Sequence, residues 1–196
     1  MLSDWARKVT HELRASIARA LGGWGVTPNV LTVLGYLLHL PVLWALAGGR
    51  LRLGGLLVAL ASLFDSLDGA VAREMGQSST FGAFLDSTID RYSEATILLG
   101  LLLWFARIGG RVETVLIYIA LFGSLMVSYT RARAEAVGMQ CKEGLLTRLE
   151  RVILIVIGLL AGQVRLLLWV LAILTNVTAL QRVYHVWRAT QANRNP

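Results

Sequence analysis

Two patterns of apolar residues divide the chain. Over the first 21 residues, Leu2, Trp5, Val9, Leu13, Ile17 and Leu21 recur every three or four positions, with Asp4, Arg7, Lys8, Glu12, Arg14 and Arg19 between them. One apolar stripe and a basic opposite face predict an amphipathic juxtamembrane helix over 1–21, lying in the interface against anionic headgroups. From residue 28 the pattern changes to long apolar runs, near 28–47, 52–74, 80–106, 112–137, 145–162 and 165–189. Each is about the length a helix needs to cross a hydrocarbon core. Thr27 is placed to cap the first run, with Pro28 as its opening residue. Short breaks that contain glycine separate the runs, for example Gly48-Gly49-Arg50 and Gly109-Gly110-Arg111. The reading is an all-α integral membrane protein. A juxtamembrane helix over 1–21 precedes a six-helix transmembrane domain over 22–189, and a polar tail occupies 190–196.

Composition agrees. Hydrophobic residues make up 56% of the chain and charged residues 16%, with a mean hydropathy of +0.62. Three prolines and one cysteine exclude a collagen-like chain and a disulfide-stapled domain, and the apolar excess excludes disorder. The net charge of +7 could suit nucleic acid or an anionic surface. Its cations sit in short connectors between apolar runs, which favours the membrane and no nucleic acid. With Arg91 set aside inside the third run, thirteen of the remaining Lys and Arg fall on the amino-terminal side and five on the other: Arg50, Arg52, Arg107, Arg111 and Arg165. This predicts a multi-pass protein of a prokaryotic cytoplasmic membrane, with both termini inside. His11, His39 and His185 lack metal-ligand spacing, and Cys141 reads as a small filler residue.

Four aspartates stand where they are expensive. Asp65 and Asp68 close the second run, and Asp86 and Asp90 open the third. Each costs roughly 3 kcal/mol near a helix centre and less near an end. The i, i+3 and i, i+4 spacings put each pair on one helix face, and a turn at 75–79 makes the helices antiparallel neighbours. The faces converge into a four-carboxylate cluster that needs a cation. Arg73 and Arg91 are near in sequence, with Arg91 expected to point away from the Asp86/Asp90 face. An all-oxygen set suits Mg²⁺ or Mn²⁺ and leaves coordination positions for phosphate oxygens. Gly69, Ala72 and Gly82 beside these faces would let a ligand approach the backbone, although small residues also serve helix packing. An ion- or proton-coupled transporter with intramembrane acids is the other class this pattern allows.

The order Asp65-x2-Asp68-Gly69-x2-Ala72-Arg73-x8-Gly82-x3-Asp86-x3-Asp90 resembles the complete signature of the CDP-alcohol phosphotransferase family. The six spans behind an amphipathic helix, and Thr27-Pro28-Asn29-Val30-Leu31-Thr32 at the first, are similar to that family too. The resemblance implies transfer of a substituted phosphate from a CDP-linked lipid, such as CDP-diacylglycerol or an ether analogue, to an alcohol, with release of CMP. It implies that Asp65, Asp68, Asp86 and Asp90 hold one or two divalent ions and that Asp90 is the base. Gly69, Ala72, Arg73, Ser79 and Gly82 would meet the CDP group, with Pro28, Asn29, Val30 and Leu31 lining the donor site. A homodimer is also implied.

The fourth run ends Ser128-Tyr129-Thr130-Arg131-Ala132-Arg133-Ala134-Glu135, and the fifth opens Gly144-Leu145-Leu146-Thr147-Arg148-Leu149-Glu150-Arg151. On the cytoplasmic side, these ends bring Arg131, Arg133, Lys142, Arg148 and Arg151 near the carboxylates. They are either positive-inside anchors or the receptor for an anionic acceptor. The stretch resembles the branch of the family that uses inositol phosphate, with Arg131 where that branch often has lysine. Ser128, Arg131, Arg133, Arg148 and Arg151 are the acceptor-phosphate candidates that this resemblance implies. Glycerol 3-phosphate is the competing acceptor.

Overall fold

The computed structural model describes residues 27–74, 79–141 and 144–192, with 66–74 and 192 described by backbone only. The expected juxtamembrane helix and the last residues of the tail lie outside this range. All regular structure among the described residues is helical: α1 (Pro28–Leu37), α2 (His39–Ala47), α3 (Leu51–Glu74), α4 (Thr80–Arg107), α5 (Arg111–Ala136), α6 (Arg148–Leu160) and α7 (Val164–Ala192). Helix α7 runs three residues into the stretch read as tail.

Thr27 stands at the N-cap of α1 in extended conformation, ahead of Pro28. The run read as one helix over 28–47 is two helices, broken at Leu38. Pro41 explains the break. It has no N–H to offer the Leu37 carbonyl, and its ring crowds that same oxygen. The Leu38 N–H is shared between the carbonyls of Leu34 and Gly35, each at 3.2 Å, so α1 ends in a tightened turn. Between α2 and α3 the chain reverses through Gly49, at φ +74, where a Cβ would also stand 2.7 Å from Trp104 Nε1. Backbone conformation and space both require glycine there.

Helix α6 is shorter than the 145–162 run. A capping box of Thr147 and Glu150 starts it at Arg148, and Leu145 and Leu146 stay outside. Helices α5 and α7 pack most extensively, followed by α2 on α4 and α3 on α6. Leu46, Ile97, Leu101, Ile117, Ile155 and Leu168 form the fully buried centre. Buried Glu113 accepts a 2.6 Å hydrogen bond from Arg165 Nε, which ties the first turns of α5 and α7 together.

The outside is as apolar as the inside. Trp44, Leu60, Leu63, Tyr118, Leu166 and Leu180 are each more than 60% exposed. A soluble monomer rarely shows so extended an apolar surface, whereas lipid accommodates it. Three stretches are long and apolar enough to span a bilayer: Pro28–Ala47, Arg111–Ala136 and Val164–Gln191. The protein is therefore a membrane protein, with spans that pack around a buried centre.

Candidate active site

Helices α3, α4 and α6 converge where α3 ends and where α4 and α6 begin. Ser79 starts α4 by accepting the Gly82 N–H at 2.9 Å, and the helix then carries Asp86 and Asp90 one turn apart. Asp65 comes from the penultimate turns of α3. Across from both, the first turn of α6 presents Arg148 and Arg151.

Arg148 spans two of the aspartates. Its Nη2 lies 3.1 Å from Asp65 Oδ2 and its Nη1 lies 2.8 Å from Asp90 Oδ1. Asp86 interacts electrostatically with Asp65, Asp90 and Arg148. Asp65 and Asp90, from two helices, thus share one guanidinium, with Asp86 within electrostatic range of both. The side chain of Asp68 lies outside the described residues, as do those of Gly69's neighbours Ala72 and Arg73. Among the described residues, no three acidic, His or Cys groups stand close enough together to hold a metal. The donor chemistry nonetheless fits a hard divalent ion: carboxylate oxygens only, in acidic excess, with Asp65 and Asp90 mostly shielded from solvent.

One turn deeper, the pattern repeats with the same signs. Arg151 Nε and Nη2 donate to Glu94 Oε1 and Oε2 at 2.7 and 2.8 Å, and Arg151 Nη1 reaches the Leu146 carbonyl at 3.3 Å. Arg151 is 2% exposed. Arg148 and Arg151 on α6 therefore pair with Asp90 and Glu94 on α4, at the three- and four-residue spacings that align helix faces. Glu94 was not foreseen, yet it continues the four-residue series Asp86, Asp90, Glu94.

A cavity of about 590 Å³ opens beside these pairs. Its lining includes Asp90, Ser128, Arg131, Arg148 and Arg151, joined by Arg91 and Arg182. Ser128, Arg131, Arg148 and Arg151 are thus brought together as expected. Arg131 reaches the lining while paired with Glu135 at 2.9 Å. Arg133 is exposed and is not part of the lining. Arg91 corrects the sequence reading. Its Nη1 lies 3.9 Å from Asp90 Oδ2 and donates to the Ser87 carbonyl. A long guanidinium stem folds back over the preceding turn, so the Cα direction alone misplaced its charge. Buried Arg182 donates to the Val127 carbonyl.

The donor-side candidates also assemble in part. A Cβ at Gly82 would stand 3.1 Å from both Asn29 Oδ1 and Ser79 Oγ, so the openings of α1 and α4 are adjacent. Pro28 and Asn29 are half-buried and Val30 is exposed. Leu31 is 4% exposed and belongs to the core rather than to a lining. Two further residues support Asp65. A Cβ at Gly35 would come within 2.5 Å of Asp65 Oδ1, so the carboxylate rests against bare backbone. Buried His39 lies 3.1 Å through Nδ1 from the Gly35 carbonyl and interacts electrostatically with Asp65.

Comparison with known proteins follows the same lines. The sequence model of the CDP-alcohol phosphatidyltransferases matches residues 25–181. An archaetidylinositol phosphate synthase of Pyrococcus horikoshii is 42% identical over 185 residues, covering 94% of this chain and 95% of the relative. A phosphatidylinositol phosphate synthase of Mycobacterium tuberculosis is 35% identical over 198 residues, covering 95% of this chain and 91% of the relative. A crystal structure of the Mycobacterium tuberculosis phosphatidylinositol phosphate synthase with CDP-DAG bound superposes with a TM-score of 0.86. It is 36% identical and covers 90% of this chain and 94% of that one. The same enzyme with manganese and citrate gives 0.84 at 36% identity, covering 89% and 88%.

Proposed function

Because the chain belongs to the CDP-alcohol phosphatidyltransferase family, we propose that it transfers the lipid phosphate of a CDP-linked donor to a hydroxyl of inositol phosphate and releases CMP. The observation that carries this reading is the opposition of two charged arrays over one cavity. Asp65, Asp86 and Asp90 face the Arg148 and Arg151 end of α6, beside about 590 Å³ of space. Such a site suits a reaction between two phosphorylated molecules, one bound through cations and the other through guanidinium groups. The identity of the acceptor rests on the two inositol-phosphate-using relatives described above.

In this reading Asp65, Asp68, Asp86 and Asp90 hold one or two divalent ions, Mg²⁺ or Mn²⁺. When bound, the ions would neutralise charge on the donor diphosphate as its P–O bond breaks. Asn29, Gly69, Arg73, Ser79 and Gly82 surround the CDP group, with Pro28 and Val30 at its edge and Ala72 leaving room for it. Ser128, Arg131 and Arg148 receive the acceptor's phosphate, supported by Arg151, which Glu94 holds in place. Arg133 serves as a membrane-surface anchor. Asp90 takes the hydroxyl proton as the new O–P bond forms, and the electron pair of the broken phosphoanhydride leaves on CMP. The transmembrane count of six, cytoplasmic termini, a cytoplasmic site and a homodimer complete the proposal. The orientation is supported by the charge asymmetry of the connectors and the membrane crossing by the apolar exterior, while the homodimer rests on the family resemblance alone.

The test is CMP release from CDP-diacylglycerol by the purified full chain. Inositol phosphate and glycerol 3-phosphate are offered separately, with Mg²⁺ or Mn²⁺ and with chelator. Chelator-sensitive release with inositol phosphate is expected. Release with glycerol 3-phosphate alone would replace the acceptor, and metal-independent release would remove the ion from the scheme.

A further inference from the structure

Arg148 makes contacts that belong to a counter-ion. One guanidinium reaches Asp65 on α3 at 3.1 Å and Asp90 on α4 at 2.8 Å, using separate nitrogens. These are two of the oxygen donors that a divalent ion would need. Each contact takes one oxygen of its carboxylate, and a guanidinium held there repels a divalent ion that comes to the same two carboxylates. Arg148 borders the neighbouring cavity and is 36% exposed, so a guanidinium repelled from the carboxylates has open space to move into. We infer that Arg148 is a resident cation that a divalent ion must displace from Asp65 and Asp90, so that loading the metal releases a guanidinium into the acceptor cavity. Order of assembly follows: a phosphate-binding group becomes available only once the ion is in place.

The inference rests on the metal-dependent reading above and makes a separate prediction about affinity. If the bridged arrangement holds nine molecules in ten, metal affinity is reduced about tenfold relative to a site free of it. The fork is what bridges. An ammonium keeps the charge but presents one point, so it cannot span the two carboxylates in this way. Mn²⁺ binding to detergent-solubilised full-length protein, followed by the EPR signal of the free ion, separates the possibilities. Arg148→Gln and Arg148→Lys should both bind Mn²⁺ about tenfold more tightly than the native protein. A tightening in Arg148→Gln alone, with Arg148→Lys unchanged, would reduce the effect to general charge repulsion and overturn the displacement. Unchanged affinity in both variants would overturn it too. Native binding that survives Asp90→Asn undiminished would instead overturn the underlying metal site. In 15N spectra with Mg²⁺, the side-chain signal lost in Arg148→Lys should shift on titration in native protein. A signal that stays fixed through saturation would again count against displacement.

Discussion

Replacing Glu94 by alanine strands a buried guanidinium. Arg151 is 2% exposed and keeps only its 3.3 Å bond to the Leu146 carbonyl once the carboxylate is gone. Two charge-assisted hydrogen bonds at 2.7 and 2.8 Å disappear together. Each contributes about 1.5–3 kcal/mol, and breaking a buried pair from one side costs about 3–5 kcal/mol. Glu94→Gln retains the shape and one acceptor, and should lose about half as much. The double variant Glu94→Leu with Arg151→Met removes both charges, and should fall within about 1 kcal/mol of the native protein. Equilibrium unfolding in mixed micelles measures these three variants against the native protein. Turnover supplies the second readout, since the double variant should be stable yet impaired, having lost a group that lines the cavity. A Glu94→Ala variant less than about 1 kcal/mol below native stability would show that the pair contributes little. The picture of Glu94 as the holder of Arg151 would then fail.

Asp90→Asn should lower CMP release by about a hundredfold or more, because the amide cannot accept the hydroxyl proton. Unaltered turnover would remove Asp90 as the base. Gly35→Ala puts a methyl group within 2.5 Å of Asp65 Oδ1, so Asp65 must leave its present position. Mn²⁺ affinity should change while unfolding shifts by no more than about 3 kcal/mol, the usual range for one overpacked methyl. Unchanged binding would show that the carboxylate does not depend on this seat. Thr147→Ala removes the N-cap of α6, the helix that carries Arg148 and Arg151. The acceptor KM should rise about fivefold, with kcat less affected, and initial rates at varied acceptor concentration measure the split.

The chain makes its helices legible because apolar runs of this length have few alternatives. It hides their interruptions for the same reason. Leu37 to Leu43 is apolar apart from His39, so the effect of Pro41 on the Leu37 carbonyl leaves no mark in a hydropathy pattern. Leu145 and Leu146 likewise extend an apolar run that the Thr147 and Glu150 capping box cuts short. In the site, the aspartates announce themselves through the cost of placing charge in an apolar helix. Glu94 carries the same cost and the same spacing, and weighing it with the others would have joined it to the series. Arg91 shows a different limit: helical projection fixes a Cα direction, while a long side chain decides where its charge ends up. Gly35 belongs to the site through its approach to Asp65, and His39 through its place beside the Gly35 carbonyl; such approaches between distant residues leave no local pattern.

The brevity of α6 has a consequence for how two unlike reactants meet. Its 13 residues rise only about 20 Å, against a hydrocarbon thickness of about 30 Å. On the six-span reading, peptide at one or both of its ends must lie below the plane of the lipid phosphates. Unwound backbone survives at that depth only beside water or enclosed by protein. With the arginine-bearing end facing the cytoplasm, as proposed, the short helix would sink a wet funnel into the leaflet, down which a dissolved sugar phosphate could dive toward a headgroup that never leaves the bilayer.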